Sequence, residues 1–137
     1  MIVAAGLRDQ YFPVLYVEPV SGNERAIGYD LASNRIRAAA MTQARDTGLL
    51  TTAARVRLVQ EKGDQWGSLI FAPVYNHPNS ETVASRQNTL AGFVLSVIRI
   101  GDLMAAADYA HRSDSAPMVN MYLFDLSAAE PDQQLFP

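Results

Sequence analysis

Residues 90–100 read LAGFVLSVIRI, an almost wholly apolar run with β-branched and aromatic side chains. That composition and length mark a β-strand, the strongest in the chain. At eleven residues, with Arg99 inside it, the run falls far short of the roughly 20 apolar residues a bilayer span needs. Residues 68–75 (SLIFAPVY) have the same character. Just before them Val56, Leu58 and Gln60 alternate with Arg57 and Val59, and Lys62-Gly63-Asp64 supplies a turn, so the two segments read as a hairpin. Residues 76–89, polar and containing His77-Pro78-Asn79, read as a long exposed connection.

Working outward, residues 11–17 (YFPVLYV) read as a strand in which Pro13 suits an edge position or a strand start. Residues 18–28 hold Pro19, Ser21-Gly22-Asn23 and Gly28 and read as loop. Ser33 and Asn34 are helix caps, and Ile36, Ala39, Ala40 and Ala44 follow at helical spacing. Gly48 stops that helix, with Arg45 complementing the dipole in its last turn. Downstream, Asp102 is placed to cap a short helix over 103–111, and residues 113–117 close it. Residues 119–125 (VNMYLFD) read as a further strand, followed by a polar tail with Pro131. Strand, helix, three strands, helix, strand predicts an α+β domain: a central antiparallel sheet with flanking helices, a PAS-like layout.

Composition narrows the function classes. The chain has 137 residues, 49% apolar and 18% charged, with a net charge of -3. A chain of that size buries roughly 68–70% of its unfolded surface and needs no staple. No run of Lys or Arg tracks a phosphate backbone, so nucleic acid is not an expected partner. The charge is uneven: residues 1–60 carry seven basic and five acidic side chains, residues 61–137 four and nine. No cysteine is present, which removes disulfides, thiolate nucleophiles and cysteine-ligated metals. The opening MIVAAGLRD lacks a basic n-region and predicts no signal peptide. The end at Leu135-Phe136-Pro137, two large apolar residues and a proline, reads as a cut through a longer protein.

Signatures of catalysis fail one by one. His77 and His111 lie 34 residues apart without ligand spacing, and Gly-x-Ser-x-Gly, Gly-x-Gly-x-x-Gly and P-loop patterns are missing. No catalytic residue, metal or cofactor is expected, and a metal-independent hydrolase using Asp30 and a histidine is the weakest reading. Binding is the open alternative, because a helix laid across a small sheet leaves a concave space between them. Asp30, at the start of the first helix, either accepts hydrogen bonds from a ligand or satisfies free backbone N–H groups there. Trp66, between a turn and Gly67, reads as an exposed edge aromatic or a hairpin packing residue.

The run YFPVLYVEPVSGNERAIGYDLASN, then ARDTG at 44–48, SLIFAPVY and AGFVLSVIRIGDL, resembles the CHASE domain in identity and in order from about Gly6 to Leu103. This family is the extracytoplasmic sensor of plant cytokinin receptors and of many bacterial histidine kinases, diguanylate cyclases and cyclic-di-GMP phosphodiesterases. The resemblance implies a long first helix, absent here, and two stacked PAS-like subdomains, the membrane-distal one holding the ligand. Residues 1–112 are then the distal subdomain, and 113–137 a linker and the start of the proximal one. It implies a periplasmic sensing module of a membrane receptor that pairs as a homodimer and meets the membrane only through segments absent from this chain. By position, Asp30 matches the acidic residue that bonds adenine in cytokinin-binding members, and Thr47-Gly48 the turn that shapes the pocket wall. Where those members carry Thr-x-Pro, this chain has Thr51-Thr52-Ala53-Ala54, so the ligand is an unidentified small molecule. The expected ligand-binding set is Asp30, Tyr29, Thr51, Ser68, Phe71 and Tyr75. The other reading is a dimerisation or protein-interaction module whose interior is filled by its own side chains.

Overall fold

The computed structural model describes residues 6–57, 66–77, 81–111, 120–126 and 128–136, with backbone alone for 109–111. Its elements are α1 (Arg35–Thr47), β1 (Thr51–Thr52), β2 (Gly67–Tyr75), α2 (Val83–Thr89), β3 (Leu90–Arg99), α3 (Ile100–His111), β4 (Leu123–Phe124) and β5 (Gln134–Phe136). Two 3₁₀ turns, Glu24–Ala26 and Leu31–Ser33, precede α1. The two apolar runs that dominate the sequence pair with each other as β2 and β3, antiparallel from Gly67↔Arg99 to Tyr75↔Leu90. β1 adds to the other edge of β2, Thr51 opposite Phe71, giving the order β1-β2-β3. This is the α+β, PAS-like architecture predicted above.

Strand alternation sends Leu69 and Phe71 to the face that α1 covers, and the register sets Leu95 and Phe93 beside them on β3. α1 answers with Ala40, Met41 and Ala44, and Ala53 and Val56 close the cluster. The alanines are short enough to let α1 approach the sheet, and Phe71 is fully buried beneath it. Phe71 meets Phe93 edge-on at 6.0 Å, and Phe93 meets Phe12 at 5.5 Å. The ends of α1 are as expected. Asn34 Oδ1 accepts from the N–H groups of Ile36 (3.0 Å) and Arg37 (3.2 Å). At the other end Gly48, at φ 75°, donates to the Ala44 carbonyl.

Elsewhere the structure corrects the sequence reading. The expected strand at 11–17 is one antiparallel bridge, Pro13 opposite Asp30, flanked by Leu31 N–H to Phe12 O and Val14 N–H to Tyr29 O. Its partner turns into a 3₁₀ helix immediately, so pairing stops, and Leu15 and Tyr16 lie exposed. Of the four apolar positions on α1, Ile36 and Ala39 are exposed; the buried stripe is Arg37, Ala40, Met41 and Ala44. The polar stretch 76–89 contains a helix, α2, capped by Thr82 Oγ1 on Ser85 N–H (3.1 Å). α3 begins at Ile100, so Asp102 lies inside its first turn and pairs with Arg99 at 2.9 Å. The strand expected over 119–125 shortens to β4, and its partner β5 comes from the supposed polar tail. β1, at Thr51–Thr52, is a strand the sequence does not mark; of the first hairpin arm, expected from Val56, a Val56–Gly67 bridge is seen. Its continuation through 58–65, the Lys62-Gly63-Asp64 turn and the 113–117 closure lie outside the described residues. Among those described, no helix is long and apolar enough to cross a membrane.

Candidate functional site

The start of α1 is assembled by one carboxylate. Asp30 Oδ1 accepts from its own turn, Ala32 N–H at 3.1 Å, and from Phe12 N–H, 18 residues away, at 3.0 Å; Oδ2 pairs with the Arg8 guanidinium. Through Phe12, Asp30 fixes the ring that reaches the core at Phe93. Tyr29 stands beside it, half-buried, its hydroxyl accepting from Ser33 Oγ at 3.1 Å. Over that phenol ring lies the guanidinium of Arg37, 5.2 Å from the centroid.

The other expected site residues occupy different places. Thr51 and Phe71 face each other across β1 and β2 on the covered face, where Thr51 Oγ1 donates to the Leu49 carbonyl. Tyr75 reaches the far end of α1 and donates to the Arg45 carbonyl at 2.5 Å. Burial raises its phenol above the usual value of 10.0. Ser68 points to the opposite face, because it is one residue out of step with Leu69. Tyr29 and Asp30 therefore share one corner, Thr51, Phe71 and Tyr75 the interior face, and Ser68 stands apart. The space between α1 and the sheet is filled by Met41, Leu69, Phe71 and their neighbours.

An open groove of about 210 Å³ lies on the other side, between residues 52–55 with Ser68 and the β4–β5 ribbon at Asp125 and Leu135. Arg55 crosses it, its Nη2 paired with Asp132 and its Nη1 donating to the Gln134 carbonyl at 3.1 Å. Trp66 is held between Arg55 and Arg57, whose guanidinium carbons lie 4.2 and 4.3 Å from its ring centroid. The ARDTG stretch forms a third polar cluster. Asp46 Oδ1 accepts from Arg45 Nε (2.6 Å) and Gln87 Nε2 (3.1 Å), which holds its carboxyl below the ordinary 3.8. Arg86 of α2 donates to the Asp46 carbonyl at 2.9 Å. Among the described residues no group of His, Cys, Asp or Glu is arranged to hold a metal ion.

The sequence reading missed Arg37 and Arg55. Arg37 carried a usable signal: it lies in step with Ala40, Met41 and Ala44, a cation on the buried stripe. Arg55 had none, since its partners lie 77 and 79 residues away.

Each quoted motif lands on a structural junction: residues 11–34 on the approach to α1, ARDTG on its capped end, SLIFAPVY on β2, and AGFVLSVIRIGDL on β3 running into α3. The sequence profile of the CHASE domain matches residues 1–136. Among curated proteins, the hybrid signal transduction histidine kinase A of Dictyostelium discoideum is 26% identical over 133 residues. That alignment takes in 92% of this chain and 6% of the kinase, so the chain spans a small fraction of the relative it matches. A match over nearly the whole length, on an α+β fold of the expected kind, shows that the chain belongs to the CHASE domain family of receptor sensor domains.

Proposed function

We propose that this chain is the small-molecule-sensing module of a transmembrane signalling receptor. It sits outside the cytoplasm, in the periplasm of a bacterial receptor, and performs no catalysis itself. The observation that carries this reading is the family match over residues 1–136, joined to a kinase relative in which the matching segment is only 6% of the protein. The remainder of such a receptor carries the output, a histidine kinase or a cyclic-di-GMP enzyme. Ligand is received at the start of α1, where Tyr29 and Asp30 stand; Thr51 and Phe71 belong to the filled interior face, Tyr75 to the far end of α1 and Ser68 to the groove face, so these four line no common pocket with that corner. Occupancy shifts a homodimer between two arrangements of its membrane-entering helices, limited to about 1–3 kcal/mol of coupling. The modular division at residue 112 belongs to the same proposal. A thermal-shift screen of neutral, cationic and anionic metabolites tests it, since bound ligand raises the melting temperature. At least one compound raising it saturably, with the response weakened by Asp30→Ala, is the expected result; silence across all three charge classes refutes ligand sensing.

A second reading, an interaction module without ligand, draws on the filled space between α1 and the sheet and on the opposite sheet face, where Leu50, Val74 and Val94 are exposed. Light scattering separates the two. A stable dimer of this chain that no metabolite alters supports the interaction module.

A further inference from the structure

Arg37 is only 4% exposed and belongs to the buried stripe of α1. Among the described residues its guanidinium makes one hydrogen bond, from Nη2 to the Arg57 carbonyl at 3.0 Å, and its buried Nε–H finds no acceptor. None of the described acids pairs with it. Asp30, the acid at that corner, already accepts from Phe12 and Ala32 and pairs with Arg8. A buried cation without a counter-charge is strongly unfavourable, and here two further features work against it. Arg37 stands in the first turn of α1, the positive end of the helix dipole, and that turn holds Arg35 as well and no acid. Across residues 31–57 the sequence has five arginines and one acid, Asp46. That acid is bonded to Arg45 and Gln87 at the opposite end of the helix.

We infer that Arg37 is an anion-recognition residue and that the ligand it receives presents a carboxylate beside Tyr29. This narrows the ligand-sensing proposal and rests on it. A guanidinium offers a planar fork of N–H donors whose spacing matches the two oxygens of a carboxylate, and its Nε–H, which such a fork uses, is the donor left without a partner here. The Tyr29 ring centroid lies 5.2 Å from the guanidinium carbon, which sets the recognised anion beside that ring.

The test uses the ¹⁵N-labelled chain and follows the arginine Nε–Hε resonances during titration with propionate, against chloride and phosphate at matched ionic strength. The Arg37 resonance is the one lost in Arg37→Lys. It is expected to shift saturably with propionate and to stay in place with chloride. A second readout compares melting temperatures. Arg37→Met exchanges the lone charge for an apolar chain; it is expected to melt no lower than the wild type without anion, and to lose the rise that propionate gives the wild type. An Arg37 resonance unmoved by propionate, or moved equally by chloride, overturns the assignment. So does an Arg37→Met variant that melts well below the wild type while propionate stabilises neither protein, because the arginine is then satisfied from within. If neutral or cationic compounds stabilise the wild type and carboxylates do not, ligand sensing stands and the anion assignment fails. If no compound of any charge binds, both fail.

Discussion

Asp30 holds three donors with two oxygens, and those donors come from three parts of the chain: Arg8, Phe12 and Ala32. Its side chain is only 9% exposed, although Arg8 is 33% exposed, so solvent screens the ion pair. Truncation to Ala is expected to cost about 1–3 kcal/mol, most of it from the orphaned Phe12 and Ala32 N–H groups. Urea denaturation reads this directly. Asp30→Asn keeps an acceptor for those amides and loses only the charge, and is expected to cost clearly less than Asp30→Ala. Equal losses for the two variants would mean that the ion pair, rather than the amide contacts, carries the stability. The sequence alone identified Asp30 as a residue of consequence at a helix start but left cap and ligand contact as alternatives. The distant donors that decide its structural role leave no trace in the local pattern.

The junction of α1 and α2 is built from an element that was legible and one that was not. α1 carried Asn34, an apolar stripe and Gly48. α2 has seven residues, VASRQNT, with no apolar face to place it in a helix, and such a length is marginal in isolation. It forms because Thr82 caps it and because Arg86 and Gln87 reach the end of α1 at Asp46. Gly48 is the tight point, since a Cβ there would lie 3.1 Å from Arg86 Nε and its φ is +75°. Gly48→Ala is therefore expected to destabilise the chain by about 1–2 kcal/mol in thermal or urea unfolding. Adding Arg86→Ala removes the crowding but not the backbone penalty, so full rescue by that second change would refute the conformational part. Asp46 makes the same junction sensitive to acid. Its folded carboxyl titrates below the ordinary 3.8, so its contribution is present above that value and is lost as pH falls through the lowered one. Melting temperatures measured from about pH 5 to about pH 2 should decline less steeply for Asp46→Asn than for the wild type. Parallel declines would show that the Arg45 and Gln87 bonds contribute nothing.

For the whole molecule, stability is concentrated where α1 covers β2 and β3, around Phe71. Phe71→Ala is expected to cost about 3–5 kcal/mol, enough to unfold much of a marginal domain at ambient temperature, as circular dichroism would report. The β4–β5 ribbon is attached far more lightly, with Arg55 bridging to Asp132 and to the Gln134 carbonyl across the groove. Arg55→Ala should speed amide hydrogen exchange in β4 and β5 and leave β2 and β3 unchanged; uniform acceleration would mean that ribbon and sheet unfold together. The sequence by itself determined the two long strands β2 and β3, the first helix with both its ends, and the family. Those depend on apolar periodicity, on caps a few residues away and on an ordered set of motifs, all of which are local. Tertiary structure alone decided that α2 exists, that the approach to α1 pairs with a turn instead of joining the sheet, and that the polar tail returns as β5. It alone buried Arg37, with no acid paired to it among the described residues. In each case the deciding energy comes from a hydrogen bond, a charge or a packed ring supplied by a distant part of the chain, and local spacing carries no record of such partners.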